Sequence, residues 1–266
     1  MGEIMRLIRE LFNSRTMLIN LSKNDFKNKY SGSALGIVWG FVPPIMTILI
    51  YWFIFNIGFR IVPVEGVPYL LWLVSGLVPW FFFSESIVSA TNSFTEYSYL
   101  VKKVVFKVSI IPLVKIISAL FIHLFFIWIL MYIFLLHGYI PSLFNLQLLY
   151  YTGCLIFLII GISLVTATIN VFFKDVSQIV VVILQFGVWL APIMWNPTIF
   201  SDKWIKILKL NPLYYIIQGY RDSLIYNISI YERLDEGIYF WCIAIGIFIL
   251  GAFLFKKLKP HFADLL

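Results

Sequence analysis

The residues of this chain that could do chemistry are few, and no catalytic pattern joins them. No G-x-x-x-x-G-K-[ST] phosphate loop, H-E-x-x-H motif or nucleophile elbow occurs, and His123, His137 and His261 are scattered. Cys154 and Cys242 lie in apolar runs without metal-ligand spacing. They read as two buried free thiols that pack as small hydrophobes. Two ionisable residues, Glu85 and Lys115, fall within or beside long apolar stretches. A charge in such a place points to function by default. It can equally be one half of a structural pair between neighbouring helices, or a side chain that snorkels to the surface. A third feature is a basic run, Lys23-Asn24-Asp25-Phe26-Lys27-Asn28-Lys29, which leads directly into a long stretch, Tyr30–Phe59, without a charge.

The elements that would position these residues are membrane helices. Of the 266 residues, 61% are hydrophobic and only 12% charged, with a mean hydropathy of +0.93. A soluble domain carries roughly 25% charge. The net charge of +7 fits a cytoplasmic excess of Lys and Arg and contact with anionic lipid better than it fits nucleic acid. The charge-free gaps predict six membrane helices, at about 33–59, 67–92, 110–137, 146–172, 176–196 and 237–256. His137-Gly138-Tyr139-Ile140-Pro141-Ser142 is the expected turn between the third and fourth. The segment Met1–Tyr30 lacks the apolar core of a secretory signal. Thirteen Lys and Arg flank the spans on the side of the N-terminal segment and six on the other. That asymmetry predicts both termini in the cytoplasm. The expected fold is a single all-α integral membrane domain over 1–266, with an interface helix in 1–30, a short cytoplasmic helix in 97–108 and short outer helices in 198–236 that lie on or re-enter the outer leaflet.

Within this frame several stretches stand out. Ile4, Leu7, Ile8, Leu11 and Phe12 recur on one helical face among Arg6, Arg9 and Arg15, as in a helix lying in the headgroup plane. In the segment Glu96–Pro112, Leu100, Val101, Val104, Val105 and Val108 form an apolar face that suits the groove of a soluble partner or the membrane interface. Asn211-Pro212 is a helix start, with Asn as cap and Pro in the first turn. Gly32, Gly36 and Gly40, spaced by four, would let a second helix approach closely. Trp39, Tyr51, Trp52, Trp72, Trp80 and Phe81 crowd the first two spans. Such rings belong to a membrane aromatic belt or to packing, and they can also stack on sugar rings along a conducting path.

Taken together, four motifs resemble the permease subunit of polysaccharide ABC exporters, in the branch that moves O-antigen, teichoic acid and capsule. They are Tyr30-Ser31-Gly32-Ser33-Ala34-Leu35-Gly36 ahead of Trp39 and Pro43-Pro44; Phe172-Phe173-Lys174-Asp175-Val176-Ser177-Gln178; Ala191-Pro192-Ile193-Met194-Trp195-Asn196-Pro197; and Asn211-Pro212-Leu213. The tail Leu258-Lys259-Pro260-His261-Phe262-Ala263-Asp264-Leu265-Leu266 is similar to those of O-antigen exporter permeases. The resemblance spans essentially the whole chain. It implies a homodimeric channel in a bacterial inner membrane, with two copies of a separate ATP-binding subunit that carry the ATP and Mg, no cofactor on this chain, and no enzymatic activity of its own. It implies a polyprenyl-diphosphate-linked glycan as substrate, O-antigen first. The loop after the second span becomes the coupling helix, here Tyr97, Leu100, Val101, Val104 and Val105. Lys23, Lys27 and Lys29 are then placed to face the diphosphate at the inner leaflet. A membrane-embedded lipid-sugar transferase should instead show clustered acids at one face, whereas Glu85, Glu96 and Asp175 look scattered. An ion-coupled carrier should show broken spans in two related halves, and none is evident.

Overall fold

In the computed structural model, residues 15–60, 66–102 and 107–266 are described, Thr198 and Ala263 by their backbone alone. Among them the architecture is helical. The named helices are α1 (Arg15–Tyr30), α2 (Val42–Trp52), α3 (Tyr69–Thr91), α4 (Ile111–Leu136), α5 (Gln147–Phe172), α6 (Val176–Leu190), α7 (Pro212–Arg221) and α8 (Leu234–Leu258). Four helical stretches among the described residues are long and apolar enough to cross a membrane: Tyr69–Thr91, Val108–Leu136, Leu143–Phe172 and Ile230–His261. Val42–Gly58 and Val176–Leu190 are apolar but shorter.

The chain is organised around α3. Apolar residues surround all its faces, and in its most apolar window 78% of the residues are buried. A helix that is hydrophobic all round belongs inside a bundle. Leu71, Leu73 and Leu77 have no exposed surface, and α4, α5, α6, α7 and α2 all pack against it. In contrast, α8 packs mainly along α5, and the close approach depends on two glycines. A Cβ at Gly251 would sit 2.8 Å from the Gly161 carbonyl oxygen, and one at Gly161 would sit 3.1 Å from the Phe248 nitrogen.

The helix expected as the first span begins later than the sequence suggests. Residues 31–35 turn, Gly36–Gly40 form a 3-10 segment, and α2 opens only at Val42 with Pro43 and Pro44 in its first turn. Proline lacks the N–H that a helix interior uses but is accommodated in the first turn. The glycine ladder is therefore not formed. Gly32 (φ +91°) and Gly36 (φ +52°) serve the turn, with open space where a Cβ would lie. Of the three, Gly40 is the one tightly approached, by Tyr30 and Ile122. Past Trp52 the helix widens into a π-type turn, Phe53–Gly58.

At the far end, α6 stops at Leu190 instead of reaching 196. Ala191 is extended (ψ 144°) because it precedes Pro192. The cap at Asn211 is as expected, its side chain accepting from the Leu213 N–H at 3.0 Å. The helix it starts ends in a π-type turn, Asp222–Tyr226, before Asn227 at φ +52°. Asp202–Leu208 forms the other short helix of this end. Packing around α7 is tight: a Cβ on Gly219 would stand 2.1 Å from the Tyr151 ring. Gly219→Ala is expected to cost about 3 kcal/mol, the upper end of overpacking. Thermal unfolding in detergent checks this, and an unchanged midpoint would show that the ring moves aside freely.

Of the interface helix expected over 1–30, residues 15–30 form α1, and Ile4, Leu7, Ile8, Leu11 and Phe12 lie outside the described residues. The described part buries Ser22 and Asp25. It docks on α4 through a polar face, with Phe26 edge-on to Phe121 at 5.6 Å. The cysteines divide: Cys154 is buried, whereas Cys242 is exposed on α8.

Candidate functional site

The ionisable residues singled out in the sequence meet at the end of the bundle that bears α1, but in different pairs. Lys115 of α4 is held by Asp25 of α1 at 2.7 Å and by Glu96 at 2.5 Å. The Tyr97 hydroxyl donates to the same Asp25 oxygen at 2.7 Å. Burial, reinforced by that bond to a carboxylate, pushes the Tyr97 phenol up. Glu85 of α3 pairs with Lys29 of α1 and accepts from the Ser89 hydroxyl at 2.8 Å. Burial opposes the charge on Lys29, but the Glu85 carboxylate outweighs it and holds the ammonium above its usual range. A direct Glu85–Lys115 pair is thus replaced by two pairs, each made with α1. The two glutamates that look scattered in the sequence, Glu85 and Glu96, line one cleft together with Asp25.

This cleft is the first of three adjoining cavities. It has a volume of about 350 Å³ and is lined by Asp25, Lys29, Tyr30, Glu85, Glu96, Tyr97 and Lys115, among others. A second, of about 330 Å³, shares Lys29, Tyr30 and Glu85 with it and continues along Trp39, Pro43, Pro44, Phe81 and Phe82. A third, of about 310 Å³, shares Thr47, Phe81, Ser84 and Glu85 with the second and runs between α2, α3 and α6, past Tyr51, Trp80, Leu184 and Gln185. Glu85 lines all three. The result is a groove that is charged at one end and aromatic along the rest.

Among the aromatic candidates, Trp39, Tyr51, Trp80 and Phe81 line this groove. Trp72 does not: it lies 2% exposed beneath the Arg221 guanidinium, 3.4 Å from its ring centre. Trp52 is half-buried outside the three cavities. All three lysines are exposed, but Lys29 alone lines the cleft. Helix geometry explains the split. Positions 23 and 27 share a face, and 29 lies on the opposite one.

Of the coupling helix expected over 97–108, the described residues form one short turn, Ser98–Val101, which follows another, Ser93–Glu96. Val104 and Val105 lie outside the described residues. Leu100 and Val101 do not offer an apolar face to a partner, because they are buried against Phe94, Phe255 and Phe262. Among the described residues of 97–108, Tyr99 and Lys102 are exposed, as are Thr95 and Glu96 just before them. Three further residues go unmarked in the sequence. Asp25 looks like one acid in a solvated basic run. Arg221 is fully buried; its signal is a lone cation in an apolar helical stretch. His123 stacks on Phe82 at 4.5 Å and bonds to the Tyr220 hydroxyl at 3.0 Å. That hydroxyl in turn lies 2.7 Å from Thr152.

The groove is entered beside charge and walled by rings, within an apolar bundle. The model of the family described as ABC-2 type transporter matches residues 17–225. The chain belongs to that family. As an ABC-2 type permease it is a membrane-embedded transport subunit. It is similar to an O-antigen export system permease protein RfbA of Klebsiella pneumoniae, 30% identical over 94% of this chain and 95% of that one. A second Klebsiella pneumoniae protein of the same name is 29% identical with the same coverage. One from Myxococcus xanthus is 24% identical over 82% of this chain and 84% of its own length. The ABC-2 match spans α1 to the turn after α7, and so includes the whole groove.

Proposed function

We propose that this ABC-2 permease forms, as a homodimer with two ATP-binding subunits, the channel that exports a polyprenyl-diphosphate-linked polysaccharide across a bacterial inner membrane. The observation that carries the reading is the groove joined at Glu85: its charged end holds Lys29, a cation that suits a phosphate once Glu85 is displaced, and aromatic rings suit sugars and isoprenoid beyond it. Similarity to O-antigen export permeases along almost the full chain favours O-antigen as the glycan. Teichoic acid and capsule glycans share the same chemistry of lipid anchor and sugar, and are the alternative cargo.

In this reading Val42–Gly58 and Val176–Leu190 complete six spans. With a rise of about 1.5 Å per residue, both fall short of a hydrocarbon layer of about 30 Å. Their flanks or local thinning of the bilayer make up the difference. The Lys and Arg asymmetry puts both termini, α1 and the cleft at the cytoplasmic face, and Asp202–Leu208 and α7 at the outer one. Tyr99 and Lys102 face the ATP-binding subunit. The cleft is not a transferase site in this reading, because each of its three carboxylates is tied to a lysine.

Deleting the gene should abolish surface polysaccharide and leave the lipid-linked glycan accumulated inside, and the plasmid-borne gene should restore it. Normal surface glycan in the deletion strain would sink the reading.

A further inference from the structure

The Lys29–Glu85 pair stands where the charged cleft meets the aromatic groove. Lys29 lines the first two cavities and Glu85 all three. Anything that passes from one to the other passes this pair. It differs from its neighbour in a way that bears on movement. Asp25–Lys115 is buried, with side chains 7% and 12% exposed, and is reinforced by Glu96 and Tyr97. Lys29 and Glu85 are 39% and 43% exposed. Exposed pairs bias an equilibrium only weakly, by no more than about fivefold. Glu85 also has a second partner on its own helix, the Ser89 hydroxyl, and so keeps a hydrogen bond when Lys29 leaves.

The charge balance says what could take Glu85's place. Asp25, Glu85 and Glu96 outnumber Lys29 and Lys115, so the closed cleft is net negative and offers an anion no preformed pocket. Lys115 is already clasped by two carboxylates. Lys29 is the cation in the cleft that can be released at small cost.

Resting on the function proposed above, we propose that Lys29–Glu85 is an exchangeable latch: the phosphate of an isoprenoid-linked substrate replaces Glu85 on Lys29, and the exchange opens the passage from cleft to groove. Glu85 is then a specificity-determining residue. It stands in for the substrate's anion and excludes lipids that lack one.

The test is binding of farnesyl diphosphate, with farnesol as control, to the full-length permease in zwitterionic nanodiscs. Glu85→Gln should bind farnesyl diphosphate more tightly, by up to about fivefold, and farnesol, freed from the same exclusion, should gain by no more than that. Lys29→Gln should lose at least about tenfold, a change of about 1.4 kcal/mol or more. Glu85→Asp, which draws the carboxylate back from Lys29 but keeps its charge, should give a smaller gain, and it carries the test should the Gln variant fail to assemble. Affinity that is unchanged or weaker in the Glu85 variants overturns the latch while leaving the transport reading standing. A wild-type protein that binds farnesyl diphosphate no better than farnesol overturns the substrate class itself. If adding phosphatidylglycerol erases the gain, the occupant is bilayer lipid and the latch as stated is wrong.

Discussion

Lys115→Met is expected to release α1 from the bundle. Asp25 is 6% exposed, and its partners are the Lys115 ammonium and the Tyr97 hydroxyl. Removing the cation leaves a buried carboxylate with one neutral donor. Breaking one side of a buried pair costs about 3–5 kcal/mol. The loss should appear as faster hydrogen exchange across residues 15–30 and a lower melting temperature in detergent. Glu96→Gln, at the 51% exposed end of the same cluster, should cost less than about 1 kcal/mol. Asp25→Asn combined with Lys115→Met removes both charges and should recover most of the stability. Unchanged exchange over α1 in the single Lys115 variant would show that the helix is held by packing alone.

Arg221→Ala is expected to loosen the opposite end of the molecule by a similar amount. The guanidinium is fully buried, yet among the described residues it pairs with no acid. Its neighbour Asp222 is engaged by Arg233. Arg221 instead lies flat on Trp72, with Nη2 donating to the Ile193 carbonyl at 3.2 Å and Nε to that of Trp72 at 3.4 Å. These contacts tie α7 to the start of α3 and to the loop after α6. Truncation leaves the buried Ile193 carbonyl without its donor, at about 1–3 kcal/mol, while the Trp72 carbonyl keeps the Ser75 hydroxyl, and it exposes the indole to an empty space. With that cavity a total of about 3–4 kcal/mol follows. Arg221→Lys keeps the charge but loses the planar fork and the stack, and should still cost about 2 kcal/mol. Melting curves of the two variants decide the matter: a lysine variant as stable as the wild type would show that charge, not planarity, is what α7 needs.

The long helices are legible because their signal is local. About 20 apolar residues between charges mark α3, α4, α5 and α8, and Gly138 marks a turn whichever fold surrounds it. The corrections come where an apolar run contains a stop. Pro43-Pro44 and Pro192 lie inside charge-free stretches, so counting charges carries the helices past points where the backbone cannot continue. The charged cleft is not legible as a unit, since Lys29 and Glu85 are 56 positions apart and Asp25 and Lys115 are 90 apart. Leu100 and Val101 read as a surface for a partner because their pattern is that of one apolar face. The chain covers this face itself, with Phe262 from its far end. Likewise, spacing by four draws attention to Gly32, Gly36 and Gly40. The glycines that admit a neighbouring helix, Gly161 and Gly251, belong to helices too apolar to show any periodic pattern.

The enclosure of α3 bears on how the protein is made. Its mean hydropathy is 1.5, against 2.4 to 2.6 for the other three long spans, and it carries Pro79 and Glu85 within its length. Lys29, which pairs with Glu85, belongs to α1 and is made before it, whereas α4 and α5, which pack along it, are synthesised after it. When α3 leaves the ribosome it is therefore the least willing of the long segments to remain in lipid. Its full enclosure comes once the later segments α4 and α5 close around it. The most central helix of the finished protein is thus the most dependent on its successors during biogenesis. Substitutions in α4 that spare the groove can still act by letting α3 slip from the membrane before the fold is complete.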